Sequence, residues 1–349
     1  MSVYYVIMVG LFALAWRVRH SSSSSQTFFA LALPLISIFV GFRYVVGCDW
    51  FSYQLHFASQ NPSGLGETVP FIDPLYWLTI DLINYIGLPY EVLHVVTAIA
   101  FFWGFWSFAR QFPNPMAILA FSFPILIFSI PMSATRQALA MGFLLVSFAE
   151  LMKVNYIRSA FLMLLASQFH ASAIVFLSFL PLMIFKSNLR GWLLSTPIFA
   201  VGFFMIIGSE AFEIASIRYI EGNNDADGAA YRTFLLFVFG LYYKIFLHNR
   251  WAIYLPQSYP LINTASIFLI AAFLASFLSP TIVDRYGYYL FIFAAVIASN
   301  IPSLAKRNSD IIFLSGIVGI VVFFIGWSLM SWQIQLCYLP YQSWLLGFP

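Results

Sequence analysis

Arginine, histidine and a few carboxylates are the residues of this chain whose placement points to chemistry. Of sixteen basic residues, eleven lie in short clusters between apolar runs: Arg17/Arg19, Arg110, Lys153/Arg158, Lys186/Arg190, Lys244/Arg250 and Lys306/Arg307. The other five are all arginines: Arg43, Arg136, Arg218, Arg232 and Arg285. By the positive-inside bias the clusters mark cytoplasmic loops. The five arginines then map to the opposite face, together with eleven of the thirteen acidic residues. A face that should exclude Lys and Arg but keeps five guanidinium forks suits a phosphate-bearing ligand, because each fork can grip two oxygens at once.

The local settings of these residues differ. Arg43 and Asp49 stand in the stretch from Gly41 to Tyr53, with Gly47 permitting a tight turn; a local Arg–Asp pair capping a helix end is the simpler alternative there. Arg136-Gln137 opens an apolar run, where the helix dipole opposes a cation, so helix stability does not explain it. Its first-turn N–H groups would make a phosphate cradle. His170 lies between two apolar limbs and has the right chemistry to take a proton near neutral pH, though a structural hydrogen bond is the competing reading. Asp284-Arg285-Tyr286 opens a late span. Arg218 and Arg232 bracket an acidic loop with Asp225-Ala-Asp227, for which a solvated loop is a simpler reading than a divalent cation site. No Walker loop, zinc-ligand spacing or dinucleotide glycine pattern occurs, so no metal and no cofactor is expected. Cys48 and Cys337 give no framework, and two free thiols are the favoured reading.

Composition decides the class. The 349 residues are 62% hydrophobic, 20% aromatic and only 8% charged, too few polar residues to coat a soluble globule. The net charge of +3 follows from loop topology and implies no nucleic acid. The expected architecture is all-α: a polytopic membrane helix bundle of about 12 passes with both termini outside. It forms a single integral membrane domain, 1–349, with an outer loop at 43–90 and an outer acidic loop at 209–232.

Two segments complicate the count. The stretch 73–88 starts with Asp-Pro, carries Asp81 and Asn84 and ends near Gly87. As a full span it would invert every later basic cluster, so an interfacial helix on the outer surface is expected. The stretch 157–185 has basic residues at both ends, and splitting it at Gln168–Ser172 gives a broken hairpin of two short limbs with His170 at the turn. Such breaks are tolerated at depth where they line a polar cavity. Ser21 to Ser25 reads as a flexible cytoplasmic loop.

In order along the chain stand Arg43-Tyr44, Gly47-x-Asp49 and Tyr53; Asp73-Pro74-Leu-Tyr76; Arg136-Gln137-x-x-Ala140; Phe169-His170-x-Ser172-Ala173; Arg285-Tyr286-x-Tyr288-Tyr289; and Leu339-Pro340-Tyr341. This pattern resembles the EpsG family of polytopic proteins from bacterial exopolysaccharide clusters, which is similar to the Wzy polysaccharide polymerases. Departures are mild: Cys48-Asp49-Trp50 stands where Thr-Asp-Tyr is commoner, and Asp73 where Glu is usual.

The resemblance implies a GT-C type membrane glycosyltransferase. It would join oligosaccharide repeat units carried on undecaprenyl diphosphate, at the periplasmic or outer side of the bacterial cytoplasmic membrane, beside other polysaccharide assembly proteins. On that reading Arg136 and Arg285, with Arg43, Gln137 and Arg218, hold the diphosphate. His170 or Asp49 deprotonates the acceptor hydroxyl, and Trp50, Tyr53, Asp73 and Tyr76 line the sugar path. A lipid-linked oligosaccharide flippase or transporter would put charge on both faces along a central path. A membrane acyltransferase would want its histidine reachable from the cytoplasm, and a purely structural subunit would not need arginines at span mouths.

Overall fold

The structure, a computed structural model, describes residues 1–60, 72–186, 188–207, 228–278, 280–305 and 308–347, without the side chains of 203–207, 280–282, 284 and 285. Helices dominate: α1 Ser2–Val18, α2 Ser22–Gly41, α3 Trp50–Ser59, α4 Pro74–Tyr85, α5 Val92–Ala109, and α6 Pro115–Ser122, which continues through a π turn at Phe123–Ile127. Next come α7 Thr135–Met152, α8 Tyr156–Phe169, a 3₁₀ segment Ala171–Ser178 leading into α9 Phe179–Ile184, α10 Leu189–Ile207, α11 Ala229–Tyr254 and α12 Tyr259–Ser276. The chain continues with α13 Pro280–Ser299, α14 Ile301–Leu304, α15 Ser309–Met330 and α16 Trp332–Tyr338. Two short strands, β1 Arg43–Tyr44 and β2 Gln342–Ser343, pair antiparallel.

Among the described residues five helices are long and apolar enough to cross a membrane: α2, α5, α11, α12 and α15. This is an all-α membrane protein. The outer acidic loop, with Arg218, Asp225 and Asp227, falls outside the described residues apart from its last positions.

Two compact units divide the chain, with boundaries inside α7, α8 and α15. The first holds 1–146, 165–171 and 317–349. Its centre is α6, where every residue from 115 to 128 is buried, as a helix apolar on all sides must be. The start of α6 is satisfied from α2: Ser25 Oγ accepts the Met116 N–H at 3.1 Å and donates to Asn114 Oδ1 at 2.7 Å. The serine run is therefore the first turn of a helix rather than a flexible loop. Its Ser21 caps that helix by accepting the Ser24 N–H, and serine is a strong N-cap.

Helices α5 and α7 cross at glycines. A Cβ on Gly104 would collide with the backbone of Gly142, and one on Gly142 with the carbonyl of Ala100. Small residues at a membrane crossing let backbones approach closely, which maximises dispersion contacts where lipid supplies no hydrophobic drive. The crossing fixes α7, the helix that carries Arg136.

The described residues of 43–90 carry two short helices. Helices α3 and α4, of 10 and 12 residues, reach only about 15–18 Å at 1.5 Å per residue, well short of the roughly 30 Å hydrocarbon core. Their inner faces bury Trp50, Tyr53, Tyr76, Ile80 and Ile83 in one cluster with Tyr90, Leu93 and Leu139. Phe51, Leu55, Leu82 and Tyr85 stay exposed, the pattern of helices lying at an interface.

A clasp ties this loop to the end of the chain. Cys48 and Cys337 form a disulfide, correcting the expectation of two free thiols. Tertiary folding brings together positions 289 residues apart, which no sequence spacing could reveal. Around it the Gly47 N–H donates to the Cys337 carbonyl at 2.7 Å, and β1 pairs with β2. Gly47 has φ +111°, and a Cβ there would strike the Met132 carbonyl, so both space and backbone require glycine.

The second unit holds 147–164 and 172–316. Helices α11, α12 and α13 form its body, with Gly240 of α11 against Leu269 and Ser266 of α12. Ser147 and Ser159 share a 2.7 Å hydroxyl contact, and Ser195 donates to the Ser178 carbonyl at 2.7 Å.

Gly142→Leu should lose at least about 1–3 kcal/mol through overpacking, read as a lower melting temperature and less monodisperse protein in detergent. Cys48→Ser should run differently from the parent on a non-reducing gel and lose roughly 2–5 kcal/mol. Unchanged melting in either variant would contradict the packing described.

Candidate functional site

The site grows from one aspartate. Asp73 precedes α4 with a left-handed backbone, φ 57° and ψ 46°, followed by Pro74, whose fixed φ suits the first helical position. An aspartate there ordinarily bonds the unpaired N–H groups of its own helix, yet Asp73 makes no such bond. Its carboxylate turns away instead. Oδ2 accepts from Arg136 Nη1 at 2.9 Å and lies 3.4 Å from His170 Nδ1. Oδ1 accepts the Ala171 N–H at 2.8 Å. Forgoing the cap costs about 1 kcal/mol, and the non-glycine left-handed backbone about 1–3 kcal/mol, so the outward contacts must more than offset both.

Each partner is presented by a specific piece of the fold. Arg136 sits in the first turn of α7. Phe143, two turns further along that helix, stacks on Phe169 at 5.1 Å between ring centroids. Residues seven apart share a helix face, so this stack holds the end of α8 against the face that bears Arg136. The chain then breaks at His170, and Ala171 starts a 3₁₀ segment whose first N–H groups lack partners within it. The Asp73 carboxylate fills that vacancy, where a negative charge also meets the positive end of the helical dipole.

Arg136 is walled by tyrosines, its guanidinium carbon 5.9 Å from the Tyr53 ring centroid and 5.7 Å from that of Tyr76. The Arg136 side chain remains 31% exposed, and its Nε, though buried, meets no partner among the described residues. The guanidinium is thus fixed along one edge and unmet at Nε, a geometry that can accept an anion. His170 is half-buried, and its Nδ1 faces Asp73 at 3.4 Å.

Electrostatics follow the contacts. Burial would raise the Asp73 carboxyl, but the hydrogen bond and charge of His170, then Arg136 and the Ala171 N–H, outweigh it and hold the group below its ordinary 3.8. Burial raises the Tyr53 phenol against the opposing pull of Arg136. His56, 3.4 Å from the Tyr76 hydroxyl, is pushed down by burial and then by Arg136, which favours the neutral imidazole.

A family model described as the EpsG family matches residues 26–343. The chain belongs to the EpsG family. No curated protein and no solved structure matches it.

In this EpsG-family protein the structure separates the residues that the sequence had grouped. Arg43, expected at the diphosphate, is 1% exposed. Its Nε donates to the Val46 carbonyl at 3.1 Å, Nη1 to the Val40 carbonyl at 2.9 Å, and Nη2 lies 2.8 Å from His94 Nδ1. Trp50, expected on a sugar path, stacks on His94 at 4.3 Å and is 3% exposed. Tyr53, Tyr76 and Asp73 are likewise buried, and all three lie against Arg136. Asp49 Oδ2 accepts from Ser133 Oγ at 3.3 Å, just ahead of α7. Gln137 is half-buried beside Arg136. In the second unit Arg232 is buried with its guanidinium 5.4 Å from the Tyr288 ring centroid. Arg218 and the Arg285 side chain lie outside the described residues.

Sequence reasoning missed the junction at Asp73. The dipeptide Asp73-Pro74 reads as a helix start, and that ordinary role concealed the carboxylate's real direction. The available signal was Arg136 and His170, two groups that can meet a carboxylate, with no acidic residue close to either in the chain.

Because the folded Asp73 value lies below the unfolded one, the stability this group contributes is complete above about pH 4. It is lost as pH falls through the lower folded value. Thermal melts at decreasing pH should show the parent losing stability in that acid window and Asp73→Asn losing less; identical acid dependence in the two would contradict the pairing.

Proposed function

We propose that this protein is a GT-C type membrane glycosyltransferase that polymerises oligosaccharide repeat units carried on undecaprenyl diphosphate. The observation that carries the reading is Arg136, held beside His170 by a shared carboxylate with its Nε unmet. Membership of a family similar to Wzy polymerases supplies the reaction class, and the site supplies two of the groups that reaction requires.

In the proposed step the bond between the anomeric carbon of the donor sugar and its phosphate oxygen breaks, and an acceptor hydroxyl of a second repeat unit forms the new glycosidic bond. Negative charge grows on the departing diphosphate. Arg136 and the first-turn N–H groups of α7, including that of Gln137, stabilise it. Arg218 and Arg285 keep the diphosphate-binding role assigned to them from their positions in the chain. One guanidinium–phosphate contact near 4 Å is worth about 4 kcal/mol at an effective dielectric near 20, and preorganised charge of this kind is commonly the largest catalytic contribution.

His170 takes the acceptor proton through Nε2 while Asp73 holds Nδ1. The carboxylate partner favours His170 over Asp49 as the base, because it fixes the ring and stabilises the imidazolium that forms. Arg43, buried and bonded to the Val46 and Val40 carbonyls, is left out of this step.

The proposed location is the outer face of the cytoplasmic membrane. Two observations support it: the alternation of basic clusters along the chain, and a Cys48–Cys337 disulfide, since such bonds persist in oxidising compartments.

Purified protein in liposomes with lipid-linked oligosaccharide should form polymer. Arg136→Lys should reduce turnover by about 10²–10³-fold and His170→Asn by about 10²–10⁴-fold, both at unchanged expression. Near-normal chain growth from Arg136→Lys would remove that residue from the mechanism, and an inactive parent given competent substrate would end the polymerase reading.

A further inference from the structure

We propose that Asp73 is a positioning residue that sets the phosphate-binding cation and the general base by one carboxylate, so that Arg136 and His170 work as a coupled pair. The inference rests on the polymerase reading for what the pair does. Its geometric content stands on the structure alone.

Three observations carry it. The first is that one oxygen, Oδ2, serves both Arg136 Nη1 and His170 Nδ1, at 2.9 and 3.4 Å, so neither side chain can move without changing the other's partner. The second is that the opposite oxygen is pinned by the Ala171 N–H, which anchors the carboxylate to the backbone next to the histidine it orients. The third is that the carboxylate is 1% exposed and has given up the cap of its own helix. A carboxylate serving α4 alone would bond the α4 amides.

The shared oxygen also links the two halves of the reaction. A diphosphate that draws on Arg136 competes with Asp73 for the guanidinium. As Arg136 turns toward the phosphate, Oδ2 is left more fully to His170, whose imidazolium is then best stabilised when donor is bound. Asp73, ahead of α4, meets His170 Nδ1, and Arg136 of α7 meets the same carboxylate oxygen; a carboxylate favours the imidazolium and a nearby guanidinium opposes it.

Double-mutant kinetics test the coupling. Asp73→Asn should lower turnover by about 100-fold. Combined with His170→Asn it should cost little beyond the loss seen with His170→Asn alone, because residues that act through one another are not additive. Multiplying losses would overturn the proposal. Asp73→Glu keeps the charge but displaces the oxygens; it should fold and still turn over slowly, and full activity would equally overturn the positioning role.

A second measurement needs no polymer. The pH midpoint for carbethoxylation of His170 by diethyl pyrocarbonate, read on its peptide by mass spectrometry, should fall by about one unit in Asp73→Asn as the carboxylate charge is removed. An unchanged midpoint refutes the contact between Asp73 and His170. A shifted midpoint in a protein that makes no polymer would uphold the positioning and reject only the polymerase function.

Discussion

A carboxylate shut away from water is costly unless each of its oxygens is met by a donor, and Asp73 is such a group. Its satisfaction requires three pieces of chain to arrive together: the approach to α4, the first turn of α7 and the interruption after α8. Removing any of them leaves a charge or a polar group stranded. This demand makes the site a structural necessity as well as a chemical one, and it explains why the broken hairpin, the interfacial helix and an arginine at an unfavourable helix end occur in the same protein.

The rest of the first unit serves that convergence. Glycines at 104 and 142 let α5 and α7 touch backbone to backbone, which sets where Arg136 emerges. The Phe143–Phe169 stack brings the end of α8 to the same face of α7. The aromatic cluster under α3 and α4 holds Tyr53 and Tyr76 beside the guanidinium, while β1–β2 and the disulfide tie the loop's base to the end of the chain. Arg43 belongs to this framework. Its guanidinium closes the turn at Val40–Val46 and meets His94, a hydrogen-bonding role that accounts for an arginine at a span mouth without any ligand.

Much of the architecture was legible in the sequence because it follows from local physics. Apolar runs long enough to span lipid, basic residues between them and a stretch interrupted at His170 all register in a short window. Arg136 was legible too, since a cation at a helix start conflicts with the dipole and calls for another explanation. The serine run misled because serine is common both in flexible linkers and at helix caps, and only the neighbouring start of α6 decides between them. The burial of Trp50, Tyr53 and Tyr76 was not legible, because a tryptophan or tyrosine beside a charged site can be a platform or a wall, and spacing along the chain does not separate the two.

The sequence by itself determined that this chain lives in a membrane as helices and the family to which it belongs. These depend on composition, period and order, which are properties of neighbouring residues. Tertiary structure alone decided which arginine is consumed by backbone carbonyls and which keeps an unmet donor, that two distant cysteines join, and that Asp73 serves a cation and a histidine rather than its own helix. Those outcomes depend on distances between segments far apart in the chain, and hydrogen bonds with a reach near 3 Å cannot be read from spacing along it.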